Sequence, residues 1–236
     1  MCVLVATRTT PAQKNDEFIS QGVPILQSFI NMIGFMKPTF LHCEAESYTK
    51  HSTHSYEPYS NIAFPQKITL DGIDFNLCAV GQRRVTILNI GVYAVGLYLQ
   101  KGCKSLCGEE LMNSNCEMLL RIVPLRKVDS THLRNGFARF LSNDLKEESL
   151  PKSEEEREKR NIQELKCLIP KSDFHSNREI CFHRTSQGFL SVYIDCKLQG
   201  KLPSTWIGSR FFSAYISKHK VISPELKLNL NEYFSK

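Results

Sequence analysis

Between Leu77 and Gln100 the chain reads LCAVGQRRVTILNIGVYAVGLYLQ, and this stretch constrains the fold more than any other. Its residues alternate with a period of two on either side of a short connection, the pattern of two neighbouring β-strands. On the first strand Leu77, Ala79, Gly81, Arg83 and Val85 share one face, and Cys78, Val80, Gln82 and Arg84 share the other. The apolar members of the first set turn that face toward a core. Arg83 then lies inside and Arg84 faces solvent, and a register slip or bulge would exchange the two. Gly81, two residues before Arg83 on the same face, leaves room for a ligand because it has no side chain. On the second strand Tyr93 falls on the face of Val95, Leu97 and Leu99. A buried guanidinium beside a phenol is costly unless an anion completes it. Arg83, Tyr93 and Gly81 are therefore candidate ligand-binding residues.

The 236 residues are 42% hydrophobic, enough for one core in one domain plus an appendage. A formal net charge of +6 is spread along the chain and accompanied by no nucleic-acid-binding motif. The balance suits a small anionic ligand or an anionic membrane surface, and nucleic acid is not an expected partner. Nine cysteines are odd in number and irregular in spacing. Cys103 and Cys107 form C-x3-C, but no second pair stands at a zinc-like distance, so no metal site is expected. Cys78, Cys181 and Cys196 fall in apparent strands, and the cysteines read as reduced thiols of an intracellular protein.

Residues 1–63 differ in character from the rest and read as a leader and linker. Arg8 and Lys14 among hydroxyl residues hint at a mitochondrial presequence, while Asp16 and Glu17 interrupt it. The apolar run from Val23 to Met36 is too short for a membrane span, and its spacing predicts a short amphipathic helix. Residues 41–60 are polar and without period, a linker that carries His42, His51 and His54.

A domain over residues 64–236 follows. Asp71-Gly72 signals a hairpin turn, and residues 117–123 alternate as a further strand. Asp129 or Ser130 can cap a helix striped by Leu133, Phe137, Phe140, Leu141 and Leu145. A charged segment over residues 146–161 predicts a solvated helix capped by Ser153, docked through Ile162, Leu165 and Leu168. Residues 180–185 and 189–196 predict a hairpin around Ser186-Gln187-Gly188. A last helix starts near Ser204 and is striped by Ile207, Phe211, Phe212, Tyr215 and Ile216. Trp206 at its start either lines a ligand cavity or packs in the core. Strands in neighbouring runs, rather than alternating with helices, argue for an α+β fold with a mainly antiparallel sheet.

Several of these residues carry a resemblance. Gly81-Gln82-Arg83 followed by Val92-Tyr93-Ala94-Val95-Gly96-Leu97-Tyr98 resembles the G-x-R … VYA-x-G-x-Y signature of the chalcone isomerase-like family. Residues 123–137 resemble the family's strand and first large helix. Residues 200–227 resemble its closing helix and the V-S-P segment after it, here Val221-Ile222-Ser223-Pro224. The resemblance implies an open-faced β-sandwich-like fold, a large sheet backed by helices, with a ligand cleft between sheet and helices.

For function the resemblance implies three alternatives. In a true chalcone isomerase, an intramolecular lyase, Arg83 would hold an anion while a Thr and a Tyr polarise the substrate ketone. Here Tyr93 stands at the Thr position, and the enzymes' Tyr before the first large helix falls at Asp129 or Ser130. Losing one such donor typically costs ~100- to 1000-fold in rate. The Arg83–Tyr93 pair is closer to the fatty-acid-binding branch, in which both groups hold a carboxylate and no cofactor is needed. Arg83 supplies parallel N–H donors, Tyr93 an O–H donor, and an apolar cleft takes the tail. Similarity to fungal mitochondrial members implies a mitochondrial location, with a cytoplasmic one as alternative. It also implies haem as an alternative cofactor, for which His183 and His219, beside His132 and His175, are the histidines in the matched region.

Overall fold

The computed structural model describes residues 47–85, 89–103, 108–176, 178–217 and 221–235. The amphipathic helix expected from Val23 to Met36 lies outside them, as do His42, Cys107 and His219. Four short strands come first: β1 (Tyr48–Lys50), β2 (His54–Tyr56), β3 (Ala63–Pro65) and β4 (Lys67–Leu70). The long pair β5 (Ile73–Val85) and β6 (Ile90–Gln100) follows, then α1 (Gly108–Asn113) and β7 (Met118–Pro124). Two helices, α2 (Ser130–Glu147) and α3 (Lys152–Leu168), precede β8 (Ile180–Arg184), β9 (Leu190–Ile194) and β10 (Lys197–Leu202). Helices α4 (Thr205–Ile216) and α5 (Pro224–Phe234) close the chain.

Eight strands form one antiparallel sheet in the order β1-β4-β5-β6-β7-β8-β9-β10, and β2 pairs with β3 apart from it. Ser47 bridges Lys197, and the Tyr48 N–H donates to the Cys196 carbonyl at 3.3 Å. The first strand thus meets the last, and the sheet is nearly closed. Period-two alternation splits its side chains between two cores. One face packs Tyr93, Val95, Leu97, Leu120, Ile122 and Phe182 against Phe137 and Leu141 of α2 and Phe211 and Tyr215 of α4. Phe211 stacks on Phe182 with centroids 4.2 Å apart, pinning α4 across the middle of the sheet. The other face gathers Tyr48, Phe64, Phe75, Ala94, Tyr98, Leu119 and Tyr193 into a second core.

Local chemistry sets the boundaries. Asp71 and Gly72 take φ of 51° and 77°, making the expected β4–β5 turn. Asp129 caps α2 by accepting from the Thr131 N–H at 2.7 Å, and Ser204 caps α4 by accepting from the Ile207 N–H at 3.0 Å. Helix α3 starts at Lys152 behind Pro151 rather than at a Ser153 cap, because proline supplies a ready φ at the helix entrance.

Further sequence expectations change. The stretch read as linker holds β1 and β2. These strands are three residues each, too short to show a period, and they are held by pairing with β4 and β3. The alternation along β5 breaks between Leu77 and Ala79, where Cys78 is an extra residue, so Leu77 turns to the second core while Ala79 stays with the first. Strand β10 and helix α5 were not anticipated, although Ser223-Pro224 is an N-cap followed by an N1 proline. Cys103 and Cys116 form a disulfide across the α1 segment, so they are not the reduced thiols expected; residue spacing could not reveal a partner supplied by the fold. Among the described residues no helix is long and apolar enough to cross a membrane.

Candidate ligand cleft

Arg83 sits directly opposite Tyr93 in the β5–β6 register. The pairing then shifts so that Arg84 opposes Gly91, a local irregularity that ends the regular ladder beside the two residues. Tyr93 belongs to the helix-covered core, and Arg83 is half-buried on the same side. Arg84 lies on the opposite side, its guanidinium 4.3 Å from the centre of the Tyr59 ring.

Arg83 and Tyr93 line a cleft of about 300 Å³ between the sheet, α2 and the segment leading into α5. Its walls are apolar: Val85 and Val92 from the sheet, Leu133, Phe137 and Phe140 from α2, and Ile222. Gly136 and His132 complete its outer edge. Inside this lining Arg83 makes one hydrogen bond, from Nη1 to the Ile222 carbonyl at 3.1 Å. Among the described residues no carboxylate lies within ion-pair distance of it. Among the described residues its charge is therefore unmatched, and Nε and Nη2 make no hydrogen bond to them.

The Tyr93 hydroxyl shares a hydrogen bond of 2.8 Å with the Tyr215 hydroxyl of α4. Burial pushes the Tyr93 pKa up to about 12, although the bond to Tyr215 and the Arg83 charge pull it back. Tyr215 is also raised, by burial first and by Tyr93 second. Both phenols keep their protons near neutral pH. The pair holds two O–H protons and spends one on the bond between them, so one remains to donate. Either hydroxyl can be the donor of that bond, and only Tyr93 of the two lines the cleft.

Other expected site residues lie elsewhere. A Cβ on Gly81 would come within 2.5 Å of the Leu226 N and 3.0 Å of the Ser223 Oγ. The room read as ligand space is taken by the first turn of α5, where Ser223 Oγ donates to the Gln82 carbonyl at 2.7 Å. Gly81 acts at one remove, because docking α5 there carries Ile222 to Arg83. Trp206 begins α4, whereas the Tyr93–Tyr215 pair lies near its other end. Its Nε1 donates to Glu148 Oε2 at 2.6 Å, and it lines a separate cleft of about 440 Å³ with Arg184, Ser186 and Glu154. A third cleft of about 460 Å³ is lined by Lys50, Arg121, Arg178 and Glu179. Both are more polar than the cleft at Arg83, so volume alone does not select a site for an apolar ligand.

His183 belongs to β8, is buried, and pairs through Nε2 with Glu117 Oε2 at 2.7 Å, its ring edge-on to Phe75. That commitment withdraws it from iron, and it does not line the cleft. Among the described histidines only His132 does, exposed at the rim and 3.2 Å from Asp129 through Nδ1. The inward donors are a guanidinium and a phenol, which fit an oxyanion rather than a haem iron. Among the described residues no group of three or more His, Cys, Asp or Glu could hold a metal. Three contributors escaped the sequence reading: Tyr215, indistinguishable there from a core aromatic, the Ile222 carbonyl, and Gly136.

Comparison with known proteins bears on the family and the fold. A family described as chalcone isomerase like matches residues 102–230. "Altered inheritance of mitochondria protein 18, mitochondrial" of Lachancea thermotolerans is 22% identical over 218 residues, covering 72% of this chain and 69% of the relative. The protein of that name from Debaryomyces hansenii is 23% identical, over 76% of this chain and 73% of its own. The one from Kluyveromyces lactis is 27% identical over 124 residues, 50% of this chain and only 38% of the relative. These names bear out the expected mitochondrial location. The crystal structure of a fatty-acid binding protein from Arabidopsis thaliana superposes with a TM-score of 0.64 at 21% identity, covering 78% of this chain and 98% of that one. It shares the fold, a large antiparallel sheet with helices against it.

Proposed function

The chain belongs to the chalcone isomerase-like family, and within it we propose a non-catalytic role: binding a fatty acid or similar anionic apolar ligand in the cleft at Arg83. One observation carries this reading. Arg83 is a half-buried cation in an apolar cleft, and among the described residues its one hydrogen-bond partner is the Ile222 carbonyl. A carboxylate would supply the missing charge, accept two N–H bonds from Nε and Nη2, and take the O–H of Tyr93. The tail would lie along Val92, Leu133 and Phe137, where each buried methylene adds ~0.8 kcal/mol. The similar fold of a protein named for fatty-acid binding supports the ligand class.

The groups at the position of the enzymes' Tyr support binding over isomerisation. Asp129 is occupied as the cap of α2, and Ser130 Oγ donates to the Lys171 carbonyl at 2.7 Å. Neither lines the cleft, so neither serves there as a second polarising donor to a substrate ketone. Native mass spectrometry of protein purified from its own cells tests the reading. An adduct with the mass of a carboxylic acid, lost on delipidation, is expected. Protein that carries only a neutral or haem adduct would contradict it.

A further inference from the structure

We propose that Gly136 is a portal in the rim of the cleft, through which the tail of a long ligand leaves, so that this position sets the chain length the site accepts. This rests on the carboxylate reading above. Gly136 stands in the interior of α2, where glycine weakens a helix relative to alanine. No backbone demand explains it, since its φ is not among the positive values. No close packing explains it either. A Cβ added to Gly81, Gly96 or Gly208 would strike neighbouring atoms at 2.5, 2.5 and 2.0 Å, whereas one added to Gly136 would meet nothing within 4 Å.

What the missing side chain does make is an opening. His132, Gly136 and Phe140 follow one another at intervals of four along α2, so they form one row, and all three line the cleft. Leu133 and Phe137, 8% and 4% exposed, form the floor behind that row. The outer row is exposed at His132 and Gly136 and half-buried at Phe140. Its middle member has no side chain, which leaves a gap between an imidazole and a phenyl ring whose backbones are about 12 Å apart. A cleft of about 300 Å³ is at the small end for ligand sites. A long chain anchored at Arg83 would outrun it, and the gap beside the Phe140 ring is a way out with an apolar wall.

Calorimetric titration of the full chain with octanoate and hexadecanoate tests this on wild type, Gly136→Ala, Gly136→Leu and Arg83→Ala. Leucine would fill the gap and deny the long tail its contacts. Gly136→Leu should weaken hexadecanoate by about tenfold or more and octanoate by no more than about twofold. Gly136→Ala should fall between wild type and Gly136→Leu for hexadecanoate. Both glycine variants should melt no lower than wild type, because each improves the helix. Arg83→Ala should weaken both ligands by the same factor. If Gly136→Leu binds both acids as wild type does, or weakens both equally, the portal is overturned while the Arg83 anchor stands. If folded wild type binds neither acid, the carboxylate reading fails and the portal with it.

Discussion

The hydroxyls of Tyr93 and Tyr215 stand 2.8 Å apart in the interior, one carried by β6 and the other by α4. Removing either has a different consequence. Tyr93→Phe deletes the donor that faces the cleft. Tyr215→Phe leaves that donor in place and removes its buried partner.

Tyr93→Phe should therefore weaken fatty-acid binding by ~1.5–3 kcal/mol, the usual worth of a hydrogen bond to a charged group. Tyr215→Phe should weaken binding only a few-fold, while lowering stability by ~1–3 kcal/mol because the Tyr93 hydroxyl is left unsatisfied in the free protein. Titration separates the two variants, whereas urea unfolding should show both less stable, since Tyr93→Phe likewise leaves the buried Tyr215 hydroxyl unpaired. Equal losses of affinity in both would mean that Tyr215 also reaches the ligand.

A second polar cluster predicts the acid response. Burial alone would raise the Glu179 carboxyl. The Arg121 guanidinium and the Lys50 ammonium, each 2.6 Å away, outweigh that and hold its pKa down to about 2 against an ordinary 4.5. The Tyr48 hydroxyl also donates to it. A depressed carboxylate pKa gives stability that is complete above the unfolded value and lost as pH falls through the folded one. Wild type should lose it progressively between pH 4.5 and 2. Glu179→Gln leaves Arg121 buried without its charge partner and should be less stable near pH 7 by ~3–5 kcal/mol. That gap should narrow as the pH falls to 2, as urea unfolding across the range would show. A gap independent of pH would contradict the assignment.

The folded unit should include residues 47–63, ahead of the residue 64 at which sequence patterning starts it. Ser47 bridges Lys197, Tyr48 is 3% exposed, and buried Glu57 accepts from Gln82 Nε2 at 2.6 Å. A chain starting at residue 60 loses the Tyr48 ring and should melt about 10 °C lower than one starting at residue 47. Coincident melting of the two would return the boundary to the later position.

Much of this was legible from residue pattern alone, and the exceptions share a cause. Period two placed Tyr93 with Val95, Leu97 and Leu99 correctly, because β6 keeps one register against β7 throughout. The faces of Arg83 and Arg84 also follow from alternation, since the irregularities fall at Cys78 and beyond Arg83 and leave Ala79 to Arg83 in phase. The same count misplaced Leu77, on the far side of the bulge. Gly81 was recognised as a space, but only the tertiary position of α5 shows what fills it. Tyr215 reaches Tyr93, and the Ile222 carbonyl reaches Arg83, from more than a hundred residues away in the chain, a separation no local pattern encodes.

The measurement nearest the central claim is calorimetric titration of a fatty acid into wild type, Arg83→Ala and Arg84→Ala, with melts to confirm folding. Arg83→Ala removes the charge that matches a desolvated carboxylate, and affinity should fall by ~2–5 kcal/mol, roughly 30- to several thousand-fold. Arg84→Ala loses its stacking on Tyr59 and its attraction to Glu225, neither of which lines the cleft, and should bind as wild type does. Loss of binding in Arg84→Ala with Arg83→Ala unaffected, or full affinity in both, would contradict the carboxylate anchor.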